Sequence, residues 1–193
     1  MTLLQVMPED APDRVVLRTR DRAEISEVLA ACSVRLRDWP MRGPVEPGTT
    51  EEEILTRYRR EVDALCAEEG LRLVDVVRLH PEDTPQWRER AAQARGTFLE
   101  EHRHVEDEVR FFAHGVGCFY LHVRQKVYAV VCEAGDLLSV PAGTTHWFDM
   151  GPRPDFCAVR FFEREDGWVG DFTGDPLARN FPRLDALLAG AGG

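Results

Sequence analysis

From residue 109 to residue 163 the chain breaks into six short runs: VRFFAHG, GCFYLHV, KVYAVVCEAGD, LLSVPAG, THWFDMG and DFCAVRFFE. Each is rich in β-branched and aromatic residues, and Gly, Pro or Asp turn signals separate them. No 3.6-residue periodicity intervenes. Strand-like runs of this length and spacing predict an antiparallel sandwich or barrel.

The first ninety-odd residues read differently, as helices with irregular connections. Asp21 is placed to cap a helix whose face carries Ile25, Val28, Leu29 and Cys32 at i, i+3, i+4, i+7. The stretch DWPMRGPVEPG (38–48) has three prolines and two glycines and is a loop. Thr50 and Glu53 make a capping box for a helix with the stripe Ile54, Tyr58, Val62, Leu65 and Cys66, and Gly70 suits its C′ stop. Val74–Leu79 reads as a strand and 84–95 as a helix. The end, from Gly167, is mixed, and AGAGG suits a frayed terminus. No internal repeat is found. A length of 193 residues fits one domain: a helix-rich part to about 95, a core over 96–165 and a C-terminal extension over 166–193.

A formal net charge of -10 repels phosphate backbones and anionic lipid, so neither nucleic acid nor membrane is expected as a partner. The N-terminus lacks a basic region followed by a long apolar core, and no apolar run approaches the roughly 20 residues that span a bilayer. Five scattered cysteines without a CxxC pair are expected as reduced, mostly buried thiols of a cytoplasmic protein.

The chemistry concentrates in GTFLEEHRHVEDEVRFFAHG (96–115). On a strand, His102 and His104 share a face at about 7 Å, suited to one ion. On the same straight strand Glu108 would lie roughly 20 Å from His102. On a helix His102 and His104 would stand about 200° apart. A site using all three therefore needs a bend between His104 and Glu108, and Val105–Asp107 is the hydrophilic place for it. A fourth candidate, His146, follows the Pro141–Gly143 turn. Imidazoles with one carboxylate suit Fe(II), Ni(II), Mn(II), Co(II) or Zn(II) rather than Ca(II), and four ligands on a six-coordinate ion leave two positions open.

The glycines add a second signal. Gly96, His102-x-His104, Glu108 and Gly115 resemble the first cupin motif at every anchor. Gly135, Pro141-x-Gly143 and His146 resemble the second, with Met150 where an Asn is usual. EHRHVEDEVRFF, GDLLSVPAGTTHWFDMG and FCAVRFFEREDGWVGDFTGD, with VRLRDW and FPRL, are similar to the bacterial acireductone dioxygenase family over nearly the whole chain.

That resemblance implies a mainly β fold with helical additions: a cupin double-stranded β-barrel (jelly roll) carrying N-terminal helices. It implies a metal-dependent dioxygenase of methionine salvage acting on 1,2-dihydroxy-3-keto-5-methylthiopentene and O₂, with one Fe(II) or Ni(II) per chain. The Fe form of the family yields formate and 4-methylthio-2-oxobutanoate; the Ni form yields formate, CO and 3-methylthiopropanoate. His102, His104, Glu108 and His146 would be the metal ligands.

Arg110 shares Glu108's parity and is expected inside, balancing substrate anion charge as a catalytic and substrate-binding residue. Phe98, Phe148 and Trp168 match family positions that wall the substrate pocket. Parity turns Arg103 away from the metal, and Asp107 is expected to support the loop. His80, His114 and His122 read as structural or exposed. A monomer is expected. A non-catalytic or differently specific metal-binding cupin is the alternative.

Overall fold

The structure, a computed structural model, describes residues 1–164 and 169–190. The chain runs β1 (Leu3–Pro8), β2 (Leu17–Thr19), α1 (Arg22–Ala30), β3 (Arg35–Asp38), α2 (Glu51–Arg57), α3 (Arg59–Glu69), β4 (Leu73–Leu79) and α4 (Pro85–Phe98). It continues β5 (His102–Arg103), β6 (Glu108–Val123), β7 (Lys126–Glu133), β8 (Asp136–Val140), β9 (Thr145–Asp149), β10 (Phe156–Phe162) and β11 (Asp171–Phe172). A 3₁₀ turn (Pro176–Asn180) and α5 (Leu184–Ala189) follow.

Among the described residues, all strand pairings are antiparallel. One sheet has the order β11-β5-β9-β6-β7-β1-β2. The other runs β3-β8-β6-β10-β4. Both sheets use β6. Its first residues, Glu108–Phe111, pair with β8 and β10, while Cys118–His122 pair with β7 and β9.

The change of sheet within one strand has a local cause. Phe112 pairs with Ala158 and His114 with Cys157, so Ala113 is an extra residue, a β-bulge. A bulge bends the strand and shifts the side-chain alternation by one. Up to and including it, Val109, Phe111 and Ala113 join the cluster under α2 and α3. After it, Phe119 and Leu121 pack between the sheets, and Cys118 and Tyr120 join the cluster under the C-terminal segment. Gly115 completes the bend at φ 72°, where a Cβ would lie 1.9 Å from the Asp155 carbonyl oxygen. Only glycine meets both conditions.

Three apolar clusters follow. The inter-sheet cluster takes Leu4 and Val6 of β1, Phe119 and Leu121 of β6, and Ile25 and Leu29 of α1. Met150, where the motif usually has Asn, is also buried there. The other two lie on the outer faces of the sheets. The stripe Ile54, Tyr58, Val62 and Leu65 is buried, although the helix expected there is two, broken at Tyr58. The C-terminal segment is tied down by the Tyr120 hydroxyl, which donates to the Pro182 carbonyl at 2.7 Å while its ring stacks on Trp147. Fully buried Asp149 accepts from Arg95 of α4 and from the backbone N–H groups of Gly151 and Leu184. That places the end of α4 against β9.

The helix caps agree with the sequence. Asp21 accepts from the N–H groups of Ala23 and Glu24, Thr50 and Glu53 form the capping box, and Gly70 ends α3 at φ 74°. Two boundaries differ. Besides the expected β4, the N-terminal part supplies three more strands, β1 to β3, so it is built into both sheets. And α4 continues through Gly96 to Phe98, so the texture change expected at Gly96 falls at the next turn. Among the described residues, no helix is long and apolar enough to cross a membrane. All five cysteines are free thiols. Burial raises Cys118 and Cys132 well above the usual thiol range and pushes Cys157 up to about 11, which keeps them protonated.

Candidate metal centre

His102 on β5 is the direct register partner of His146 on β9. Their rings lie 4.5 Å apart, and His104, one residue past β5, brings its ring within 5.1 Å of His102 and 5.3 Å of His146. The chain then turns through 105–107, where Val105 is 74% exposed, and enters the other sheet at Glu108. The bend that geometry demands is thus a crossing between sheets. Asp107 supports it, accepting from the Ala142 N–H at 2.9 Å. Arg103 points outward to Asp171.

The three histidines are buried and offer ligand atoms within 4.8 Å of one another. Each Nδ1 faces a backbone carbonyl: His102 to Glu100 at 2.7 Å, His104 to Val169 at 3.0 Å, His146 to Thr144 at 2.8 Å. A carbonyl only accepts, so Nδ1 carries the proton and Nε2 keeps its lone pair. This is how second-sphere contacts select the tautomer that binds metal. The Nε2 of His146 is buried without a hydrogen-bond partner. An unpartnered buried lone pair is costly, and a divalent cation would satisfy it.

The charge states agree. Burial pushes His146 down to about 4, and burial also lowers His102. For Glu108, burial acts upward, but the Arg110 guanidinium and then His146 and His104 more than offset it, so the carboxyl titrates below its usual range. At neutral pH His102 and His146 are neutral imidazoles and Glu108 is a carboxylate, the protonation state that metal ligation requires. The residues therefore fit a borderline divalent ion. The close set is the three histidines. Glu108 stands beside it, with Oε2 3.4 Å from His104 Nε2 and Oε1 accepting from Arg110 at 2.7 Å.

The histidines open onto a cavity of about 250 Å³. Arg110 enters it from β6, buried, with Nη1 on the Val109 carbonyl and its guanidinium 5.0 Å from the Phe162 ring. Phe148 lies on the wall and Phe98, 37% exposed, at the mouth, their rings edge-to-face at 6.3 Å. Trp168 lies outside the described residues.

Among the lining residues that the sequence reading did not single out are Arg160 and Phe172. Arg160 is the register partner of Arg110 and is held by Asp75 through two hydrogen bonds of 2.7 and 2.6 Å. Its signal was available: a lone cation in an apolar strand, in parity with Phe156 and Ala158. Phe172, paired with His102 across β11, puts its ring 5.4 Å from that imidazole. A two-residue strand carries no readable pattern. Elsewhere, His122 is half-buried between Glu9 and Glu101, each at 2.8 Å, and His80 and His114 share Asp155.

The sequence profile of the ARD/ARD' family matches residues 4–170. Acireductone dioxygenase 1 of Nocardia farcinica (strain IFM 10152) is 60% identical over 190 residues, covering 97% of this chain and 100% of the relative. Acireductone dioxygenase of Frankia alni is 56% identical, with 97% and 91% covered. Among solved structures, acireductone dioxygenase from Bacillus anthracis with a cadmium ion in its active centre superposes with a TM-score of 0.74. It is 26% identical, over 89% of this chain and 98% of that one. The site described above thus sits in a chain whose likeness to its relatives runs nearly end to end, and the chain belongs to the ARD/ARD' family.

Proposed function

We propose that the chain is an acireductone dioxygenase of methionine salvage, a metal-dependent enzyme that cleaves 1,2-dihydroxy-3-keto-5-methylthiopentene with O₂. The observation that carries this is the trio of buried, tautomer-locked imidazoles at the head of a largely apolar cavity that also holds one buried guanidinium. His102, His104 and His146 hold one Fe(II) or Ni(II) per chain, and Glu108 is the fourth ligand. The bound ion supplies Lewis acidity and a template for the enediol.

The remaining work falls to side chains of the fold. Arg110 is catalytic in the sense that it touches substrate: a permanent cation in a low-dielectric wall offsets the charge of an anionic enediol and fixes its orientation. Arg110 also draws Glu108 below its usual range, which keeps that ligand ionised. The Nδ1–carbonyl bonds hold each imidazole in one orientation, so the site needs little rearrangement on loading. Phe98 and Phe148 form the apolar wall for the methylthio tail and exclude water from the reacting carbons. The two sheets close as a cupin barrel, and the chain acts as a single-domain cytoplasmic monomer.

The test is reconstitution. Metal-free protein loaded with Fe(II) or Ni(II) and given acireductone and O₂ is expected to consume substrate. Formate with 4-methylthio-2-oxobutanoate is expected from one form, and formate, CO and 3-methylthiopropanoate from the other. Consumption no faster than the uncatalysed reaction with either metal would overturn the proposal.

A further inference from the structure

A second cluster of metal-binding side chains stands apart from the cavity. β4, β10 and β6 lie side by side, and at their common end Leu79, Phe156 and Gly115 are register partners. The adjoining residues are His80, Asp155 and His114. His80 Nδ1 lies 3.0 Å and His114 Nε2 3.2 Å from the same oxygen, Asp155 Oδ1. The ring centroids are 5.5 Å apart, and the three ligand atoms fall within 4.8 Å of one another.

These separations have a simple reading. Two ligands each about 2.1 Å from one ion at the tetrahedral angle are about 3.4 Å apart. Both carboxylate–imidazole edges of this triangle, 3.0 and 3.2 Å, lie within a few tenths of an ångström of that length. The triangle is also held by backbone: the Ala113 bulge sets where His114 projects, and the Asp155 carbonyl packs where a side chain of Gly115 would stand. Ligation needs His80 to carry its proton on Nε2. That atom is buried with no hydrogen-bond partner, so the change of tautomer gives up only the Nδ1–H bond to Asp155, which the ion replaces.

We infer that His80, His114 and Asp155 form a second, peripheral site for a borderline divalent cation such as Zn(II). Two imidazoles and one carboxylate are the donor set such ions prefer, and the exposure of His114 and Asp155, 35% and 47% at the side chain, leaves water to complete the coordination. The partial exposure makes this site weaker than the buried trio. Asp155 is separated from Arg160 by five residues along the strand, roughly 16 Å, so an ion here would not touch substrate. It would pin the ends of three strands whose next side chains, Phe156 and Phe112, line the cavity.

Calorimetric titration of the metal-free chain with Zn(II) at pH 7.5 tests this. Two classes of binding are expected, and the weaker one should disappear in His114→Gln and in Asp155→Asn while the tighter one is retained. His80→Gln serves as the third variant should either of these fail to fold, and ring ¹⁵N shifts of His80 and His114 should move only with the second equivalent. A wild-type chain that binds one equivalent, or a second equivalent that persists in the variants or leaves both rings unshifted, would overturn the inference.

Discussion

In the metal-free protein His146 should make stability fall steeply with acid, and a single substitution should remove that dependence. Its imidazole titrates at about 4 in the fold against 6.5 when unperturbed, because burial opposes the charged form. Between those values the unfolded chain binds a proton that the folded chain refuses, so stability declines as pH falls from about 6.5 to 4. The linkage is about 1.4 kcal/mol per pH unit and about 3.4 kcal/mol in all. His102, lowered by burial, acts in the same direction. His122 acts oppositely: burial lowers it, but Glu9 and Glu101 hold its proton and raise it, so it stabilises more as pH falls. For Glu108 burial acts upward but Arg110 holds it below its usual carboxylate range, so it also loses stabilisation as the pH falls toward that range. The clean quantity is therefore a difference. Urea unfolding of chelator-treated wild type and His146→Gln, at intervals from pH 7.5 to 4.5, should give curves that converge by about 1.4 kcal/mol per pH unit below 6.5. Parallel curves would show that His146 is not the buried neutral imidazole described.

Two further substitutions probe the site and its frame. Arg110→Met should lower turnover about 10²–10³-fold while the loaded metal is retained, read from initial rates and metal content. Its metal-free form should also lose about 3–5 kcal/mol, because the buried Glu108 carboxylate loses its partner. Gly115→Ala forces a Cβ against the Asp155 carbonyl at positive φ. Steric overpacking and the left-handed backbone together cost about 3 kcal/mol, a fall in melting temperature of roughly 6–12 °C by calorimetry. An unchanged melting temperature would mean that the bulge does not constrain β6.

Much of the centre was legible before the fold was known, because the constraint was local. One ion shared by His102, His104 and Glu108 would exclude a straight strand and a helix and require a bend, and the chain does turn at 105–107. Caps were legible for the same reason: Asp21, Thr50 with Glu53, and Gly70 act within one turn. What escaped depends on partners far along the chain. β1 is buried along its whole length between β7 and β2, so LLQVMP shows no alternation by which to recognise a strand. β3 reads RLRD, yet it is a strand because Leu36 faces the core while Arg35 and Arg37 reach Glu69 of α3. VRFFAHG and GCFYLHV looked like two strands; they are one, folded across two sheets by Ala113 and Gly115. Phe172 became visible only through its pairing with His102.

The central claim, that one ion held by His102, His104 and His146 makes this cavity a dioxygenase, is tested most directly by an activity titration. The rate of acireductone loss under air would be followed as Fe(II) is added anaerobically to metal-free protein before mixing. The expected rate is the uncatalysed one without metal, rising linearly and saturating at one equivalent per chain, with His146→Gln remaining at the baseline. Activity in the metal-free protein, or equal activity in His146→Gln, would contradict it.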